Sequence, residues 1–177
     1  FSREAIIHRV NGDLANGIGN LAQRSLSMIF KNCDAAIPEA GELTPADDAI
    51  LGQVGPTLDK MRKAIDSQAI HQAIEAAWAL IGEADRYLAS EEPWVLKKSD
   101  PARMATVLYV AAEVIRNIAI LIRPFISTSA DKLLSMLAIS ESERDFEFLG
   151  ERHRIKPGTK IEQPIGLFPR INEEKES

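Results

Sequence analysis

Ser2-Arg3-Glu4-Ala5-Ile6-Ile7-His8-Arg9-Val10-Asn11-Gly12-Asp13-Leu14-Ala15-Asn16-Gly17-Ile18-Gly19-Asn20-Leu21-Ala22-Gln23-Arg24, continuing through Ile29 to Asn32, decides the fold class of this chain. Ile6, Val10, Leu14, Ile18, Leu21 and Ile29 recur at the three-to-four spacing that places them on one stripe of an α-helix. The spacing predicts a helix over Ser2 to Asn32. Gly12, Gly17 and Gly19 each weaken it by roughly 1 kcal/mol against Ala. Close approach of a neighbouring helix is the reading that accounts for them.

Working outward, the same period returns. A Pro-, Glu- and Gly-rich loop over 34–43 leads to Thr44-Pro45-Ala46-Asp47, a helix start with Thr as N-cap, Pro at the first position and acids in the first turn. Pro56 is expected to kink or split that helix. A third helix, about Ser67 to Ala89, is Ala-rich, with Ile70, Ile74, Ala77, Trp78 and Ile81 expected inward. Asp100-Pro101 opens a fourth that ends near Pro124, and Thr128 or Ser129 caps a short fifth over Asp131 to Leu137. From about Ser140 the period is lost: Pro157-Gly158 marks a turn, and the prolines and glycines of Gln163 to Ile171 exclude a regular helix. The expected fold is an all-α antiparallel bundle of about five helices over 1–139. An extended segment, 140–171, should pack on the bundle or on a domain outside the chain, and 172–177 should be disordered.

Composition bounds the function. The chain has 177 residues, 45% of them apolar and 27% charged, enough for one well-buried core. Its lone cysteine, Cys33, rules out an internal disulfide and fits a reducing compartment such as the cytoplasm. Glu113, Arg116 and Asn117 interrupt the longest apolar run, so no membrane span is expected. The start, Phe1-Ser2-Arg3-Glu4, lacks an initiator Met and reads as a cut at a domain boundary. A net charge of −5 argues against a protein that coats duplex nucleic acid, although a small cationic patch can still read one loop. His8, His71 and His153 have no carboxylate or thiol at ligand spacing, and no nucleophile constellation or phosphate loop occurs, so neither metal nor catalysis is expected.

Two short stretches carry recognition chemistry. Asn20 and Arg24 lie four residues apart, on nearly one helix face and roughly 6 Å apart along the axis. An Asn amide and an Arg fork there suit base edges and phosphate. Taken alone, such a pair is more often solvated or capping. Glu92-Pro93-Trp94-Val95-Leu96-Lys97-Lys98 places a tryptophan behind a proline in a surface turn, followed by two lysines. An exposed ring there can stack an unpaired base, which contributes about 1–3 kcal/mol; the commoner use of such a ring is as a packing cap. Trp78, among alanines in mid-helix, is expected in the core.

Asn11-Gly12-Asp13-Leu14, Asn16, Gly19-Asn20-Leu21 and Arg24 together resemble the opening motif of the anticodon-binding domain of bacterial methionyl-tRNA synthetases, which are class I enzymes. Arg86-Tyr87 and Glu92-Pro93-Trp94 resemble its second signature. Leu121 to Ile126 is similar to its Pro-ended helix, and Ile165 to Ile171 to its C-terminal segment. The likeness runs in order through nearly all of residues 1–171. It implies that Asn20, Arg24 and Trp94 read the CAU anticodon of methionine tRNA, with Trp94 stacking the first base. Pro93 sets the turn, and Lys97, Lys98 and Asn16 serve as secondary RNA contacts. The family's ligase activity, which uses ATP and Mg2+ to charge tRNA with methionine, needs a catalytic half. Neither of that half's HIGH and KMSKS signatures occurs here, so this fragment should bind without catalysing. Two positions depart from the pattern: Gly12, where Ala is usual, and Asp85, where Asn is common. The alternatives are the corresponding domain of an isoleucine, valine, leucine or cysteine enzyme, and a helical protein–protein module with Trp94 as a partner contact.

Overall fold

The computed structural model describes residues 2–164. Among the described residues seven α-helices follow in order: α1 (Arg3–Asn32), α2 (Pro45–Leu51), α3 (Val54–Asp66), α4 (Ile70–Glu91), α5 (Pro93–Ser99), α6 (Pro101–Ile122) and α7 (Ser127–Met136). α1, α3, α4, α6 and α7 have ten residues or more, and α2 and α5 have seven each. The bundle is all-α. Among the described residues the only strand-like pairing is one antiparallel bridge, Ala36 to Lys160.

Local chemistry explains the helix starts. The Ser2 hydroxyl accepts from the Ala5 N–H. Thr44 and Asp47 form a reciprocal capping box, and Asp100 accepts from the Arg103 N–H. The helix begun at Thr44 is split, but the break falls at Gly52–Gln53. Pro56 sits in the first turn of α3, where its missing N–H costs nothing.

α6 is the spine. Its residues from Thr106 to Ile122 are all buried, and α1, α2, α3, α4, α5 and α7 all pack against it. It is long and apolar enough to cross a membrane, yet it is almost entirely buried inside the bundle, as for a core helix. α1 and α4 lie side by side and run parallel. Arg3 Nη2 donates to the Gln68 carbonyl, Gly17 faces Trp78 and Ile81, and Arg24 pairs with Asp85, so position rises together along the two segments.

The charges that interrupt α6 form a buried network. Arg116 donates through Nε and Nη2 to both Glu113 oxygens at 2.9 and 2.6 Å, and through Nη1 to the Phe148 carbonyl at 2.7 Å. The Ile155 N–H donates to Glu113, the Gly150 N–H donates to Asn117 Oδ1, and the Tyr109 hydroxyl donates to the Ile155 carbonyl. These bonds fasten residues 148–155 to the bundle. The segment after Ser140 also folds into three single 3-10 turns, 141–143, 146–148 and 151–153. The expectations for 165–171 and 172–177 lie outside the described residues.

Two inward assignments need correction. Ile70 and Trp78 are exposed, as is Ile6 of the α1 stripe. Ile74, Ala77, Ile81, Ala84 and Leu88 take the buried stripe of α4. Trp78 lies on its flank and rests against Gly17 of α1, where an added Cβ would meet its ring at 3.2 Å. That contact is what Gly17 permits.

Candidate nucleic-acid interface

α1, α4 and α5 carry the residues that sequence singled out. Asn16 and Asn20 are exposed on α1, and neither side-chain amide makes a hydrogen bond among the described residues. Arg24, one turn beyond Asn20, is half-exposed but committed. Its Nη2 donates to Asp85 Oδ1 of α4 at 2.6 Å, and its Nε donates weakly to the Asn20 carbonyl at 3.4 Å. Sequence spacing predicts the Asn20–Arg24 neighbourhood. It does not predict that α4 supplies a carboxylate to it, and Asp85 stands out in the sequence only as a departure from the usual Asn. Burial at the α1–α4 seam pushes the Asp85 carboxyl above its ordinary range, against the opposing pull of Arg24 and Arg86.

Trp94 lies just past the C-terminus of α4. α4 stops at Glu91, and Glu92 adopts a left-handed φ of 49° that serves as C-cap of α4 and N-cap of α5. For a non-glycine residue that conformation costs about 1–2 kcal/mol, so surrounding contacts must hold it. Pro93 supplies one: it is buried at the first position of α5 and anchors the corner. The next residue, Trp94, is 47% exposed, and Val95 beside it is 51% exposed. Trp94 therefore lies on a short helix where a surface turn is expected. Lys97 and Lys98 are exposed in the last turn of α5, where cations favour the helix dipole, and neither is ion-paired among the described residues.

Beneath the corner lies a cluster whose extent the sequence does not reveal. Asp47, read there as a helix-start acid, is fully buried. Its carboxylate accepts from the Tyr87 hydroxyl at 2.5 Å, from Arg103 at 2.7 and 2.9 Å, and from the Thr44 N–H at 2.9 Å. Arg103 also donates to Glu91, the last residue of α4, at 3.0 Å. Burial acts to raise the Asp47 carboxyl, but the donors from Arg103, Tyr87 and Thr44 outweigh it and hold the group below its usual range. Burial and the Asp47 bond push the Tyr87 phenol far up, so it stays a donor. The cluster ties α2, α4 and α6 together one residue before the corner that presents Trp94.

An exposed flat ring, two free amides and an oriented guanidinium on the surface of a helical bundle are groups that suit unpaired bases. Among the described residues no group of three or more His, Cys, Asp or Glu side chains gathers to hold a metal. Residues 37–177 match the family model for the anticodon binding domain of methionyl tRNA ligase. The fold and site thus define an all-helical anticodon-binding module. The methionine–tRNA ligase of Rhizobium meliloti is 52% identical over 170 residues, 96% of this chain and 33% of that protein. The Brucella suis methionine–tRNA ligase is 50% identical over 177 residues, 99% of this chain and 34% of its own length. The apo crystal structure of Mycobacterium tuberculosis methionyl-tRNA synthetase superposes with a TM-score of 0.85 at 45% identity, over 96% of this chain and 35% of that one. Its complex with methionyl-adenylate gives the same TM-score and identity. The chain belongs to the methionyl-tRNA ligase family and spans about a third of the length of the relatives it matches.

Proposed function

We propose that this chain binds the anticodon loop of methionine tRNA and selects the CAU sequence. The observation that supports the reading is uncommitted surface chemistry on the bundle: the amides of Asn16 and Asn20, the partly open guanidinium of Arg24 and the exposed ring of Trp94. The match to an anticodon binding domain supports it. Unstacking a loop base costs a few kcal/mol. Stacking on Trp94 offsets about 1–3 kcal/mol of that for any base, while bonds from Asn20 and Arg24 are made only by the right one. A wrong first base leaves a desolvated amide or guanidinium without a partner, at about 1–3 kcal/mol. Lys97 and Lys98 meet phosphates at the rim, and Pro93 holds the ring in place. With so few cations, binding is weak.

In a protein of the relatives' length, the bundle holds the anticodon in the cytoplasm while a region outside this chain charges the tRNA. That region uses ATP with Mg2+ to make methionyl-adenylate, and the binding end described here takes no part in the chemistry. The test is a fluorescence-anisotropy titration of the chain with labelled CAU and GAU stem-loops at low salt. Tighter binding of CAU by tenfold or more supports the reading; equal binding of both loops refutes it.

A further inference from the structure

The Arg24–Asp85 pair joins two helices across the α1–α4 seam, and both side chains remain 40–49% exposed. A surface ion pair contributes little to stability, typically about 0–1 kcal/mol. Its geometry is more informative. Arg24 is held at Nη2 by Asp85 and at Nε by the Asn20 carbonyl, which leaves both hydrogens of Nη1 and one of Nη2 free. Asp85 uses Oδ1 for the pair, and its Oδ2 accepts no hydrogen bond among the described residues. The half-exposed pair therefore keeps a free acceptor on Asp85 and free donors on Arg24. A cytosine pairing edge carries the complement: a 4-amino donor beside two acceptors, the ring nitrogen and the 2-oxo group. Uracil has a carbonyl in place of the amino group and would set oxygen against the carboxylate. Guanine would set its oxo group there and its N–H groups against the guanidinium. The pair is also neutral as a unit, so it favours a base edge over a phosphate.

We infer that Asp85 is a specificity-determining residue, with its free carboxylate oxygen accepting from the 4-amino group of the cytosine that Arg24 and Trp94 hold. The inference rests on the anticodon reading above and deepens it: reading the first base becomes the work of an acidic residue on α4 as well as of α1. Arg86 is the other charge close enough to act on Asp85, and it is engaged by Glu83.

The test is a cycle between protein and RNA. Wild-type chain, Asp85→Ala and Asp85→Asn are titrated with a CAU stem-loop and with the same loop carrying a 4-dimethylamino group on its cytosine, which has no hydrogen to donate. Wild type should lose about tenfold in affinity for the dimethylated loop, the size of one good base-edge contact. Asp85→Ala should bind the two loops within about twofold of each other. Asp85→Asn, whose amide oxygen still accepts, should recover most of the difference. If Asp85→Ala weakens both loops equally, Asp85 merely props Arg24 and the inference is overturned, while the anticodon reading stands. If wild type shows no preference for CAU over GAU, the anticodon reading itself falls and takes this inference with it.

Discussion

Asp47→Asn should be the most damaging conservative change at the binding end, although Asp47 touches no RNA. The side chain is fully buried, and its two oxygens serve four donors: Tyr87, two nitrogens of Arg103 and the Thr44 N–H. Hydrogen bonds to a charged group are each worth about 1.5–3 kcal/mol net, against about 1 for neutral pairs. An amide removes the charge and turns one oxygen into a donor that faces a donor. Breaking one side of a buried ion pair costs about 3–5 kcal/mol; Glu91 remains to Arg103 and offsets part of this, leaving about 3–4 kcal/mol. For a chain of this size each kcal/mol moves Tm by about 2–4 °C, so the loss should be about 10 °C, read by circular dichroism melting at pH 7. The acid limb provides a second signature. Asp47 is held below its ordinary value of 3.8. A carboxyl lowered in the folded state contributes stability above its unfolded pKa and loses it as pH falls through the folded one. Wild type should therefore lose its advantage over Asp47→Asn progressively below about pH 4. A variant within 1 kcal/mol of wild type, with a parallel acid limb, would refute the account of this cluster.

Arg116→Ala strands Glu113 in the core and unties Phe148 and Gly150; it should cost about 3–5 kcal/mol in urea unfolding and expose 140–160 to limited proteolysis. Trp78→Ala should cost well under the roughly 3–5 kcal/mol of a buried Trp, because the ring is 46% exposed; a larger loss by denaturant titration would place it in the core after all. Trp94→Ala should leave Tm within about 2 °C, since the ring is half in solvent and scattered surface changes stay within about 0.5 kcal/mol. The same variant should weaken every loop by about 1–3 kcal/mol in anisotropy titrations. Asn20→Ala should instead erode the preference for CAU over GAU more than it lowers affinity.

The bundle was legible because its helices carry their own punctuation. The apolar stripe of α1 and the Thr44-Pro45 and Asp100-Pro101 starts are local signals, and local structure follows them. What periodicity does not show is how wide a stripe is buried. Trp78 is one residue from Ala77 on α4, and only the position of α1 decides that the ring lies outside. Polar residues were misleading for the same reason. Asp47 looks like a helix-start acid until Tyr87 and Arg103 arrive from distant segments, and Glu113 and Arg116 look like interruptions until residues 148–155 supply their partners. At the candidate site, Asn20, Arg24 and Trp94 could be picked out by residue type and resemblance. The Asp85 contact could not, because it joins residues 61 positions apart.

Trp78 and Trp94 are the only tryptophans in the chain, so a proton–nitrogen spectrum of the labelled protein contains two indole N–H peaks. Titrating it with a CAU stem-loop tests the central claim most directly, once Trp94→Phe has assigned the peaks. The Trp94 peak should shift or broaden with CAU, and reach the same response with GAU only at tenfold or more higher loop concentration. A Trp94 peak that ignores the CAU loop, or answers both loops alike, would contradict anticodon recognition at this corner.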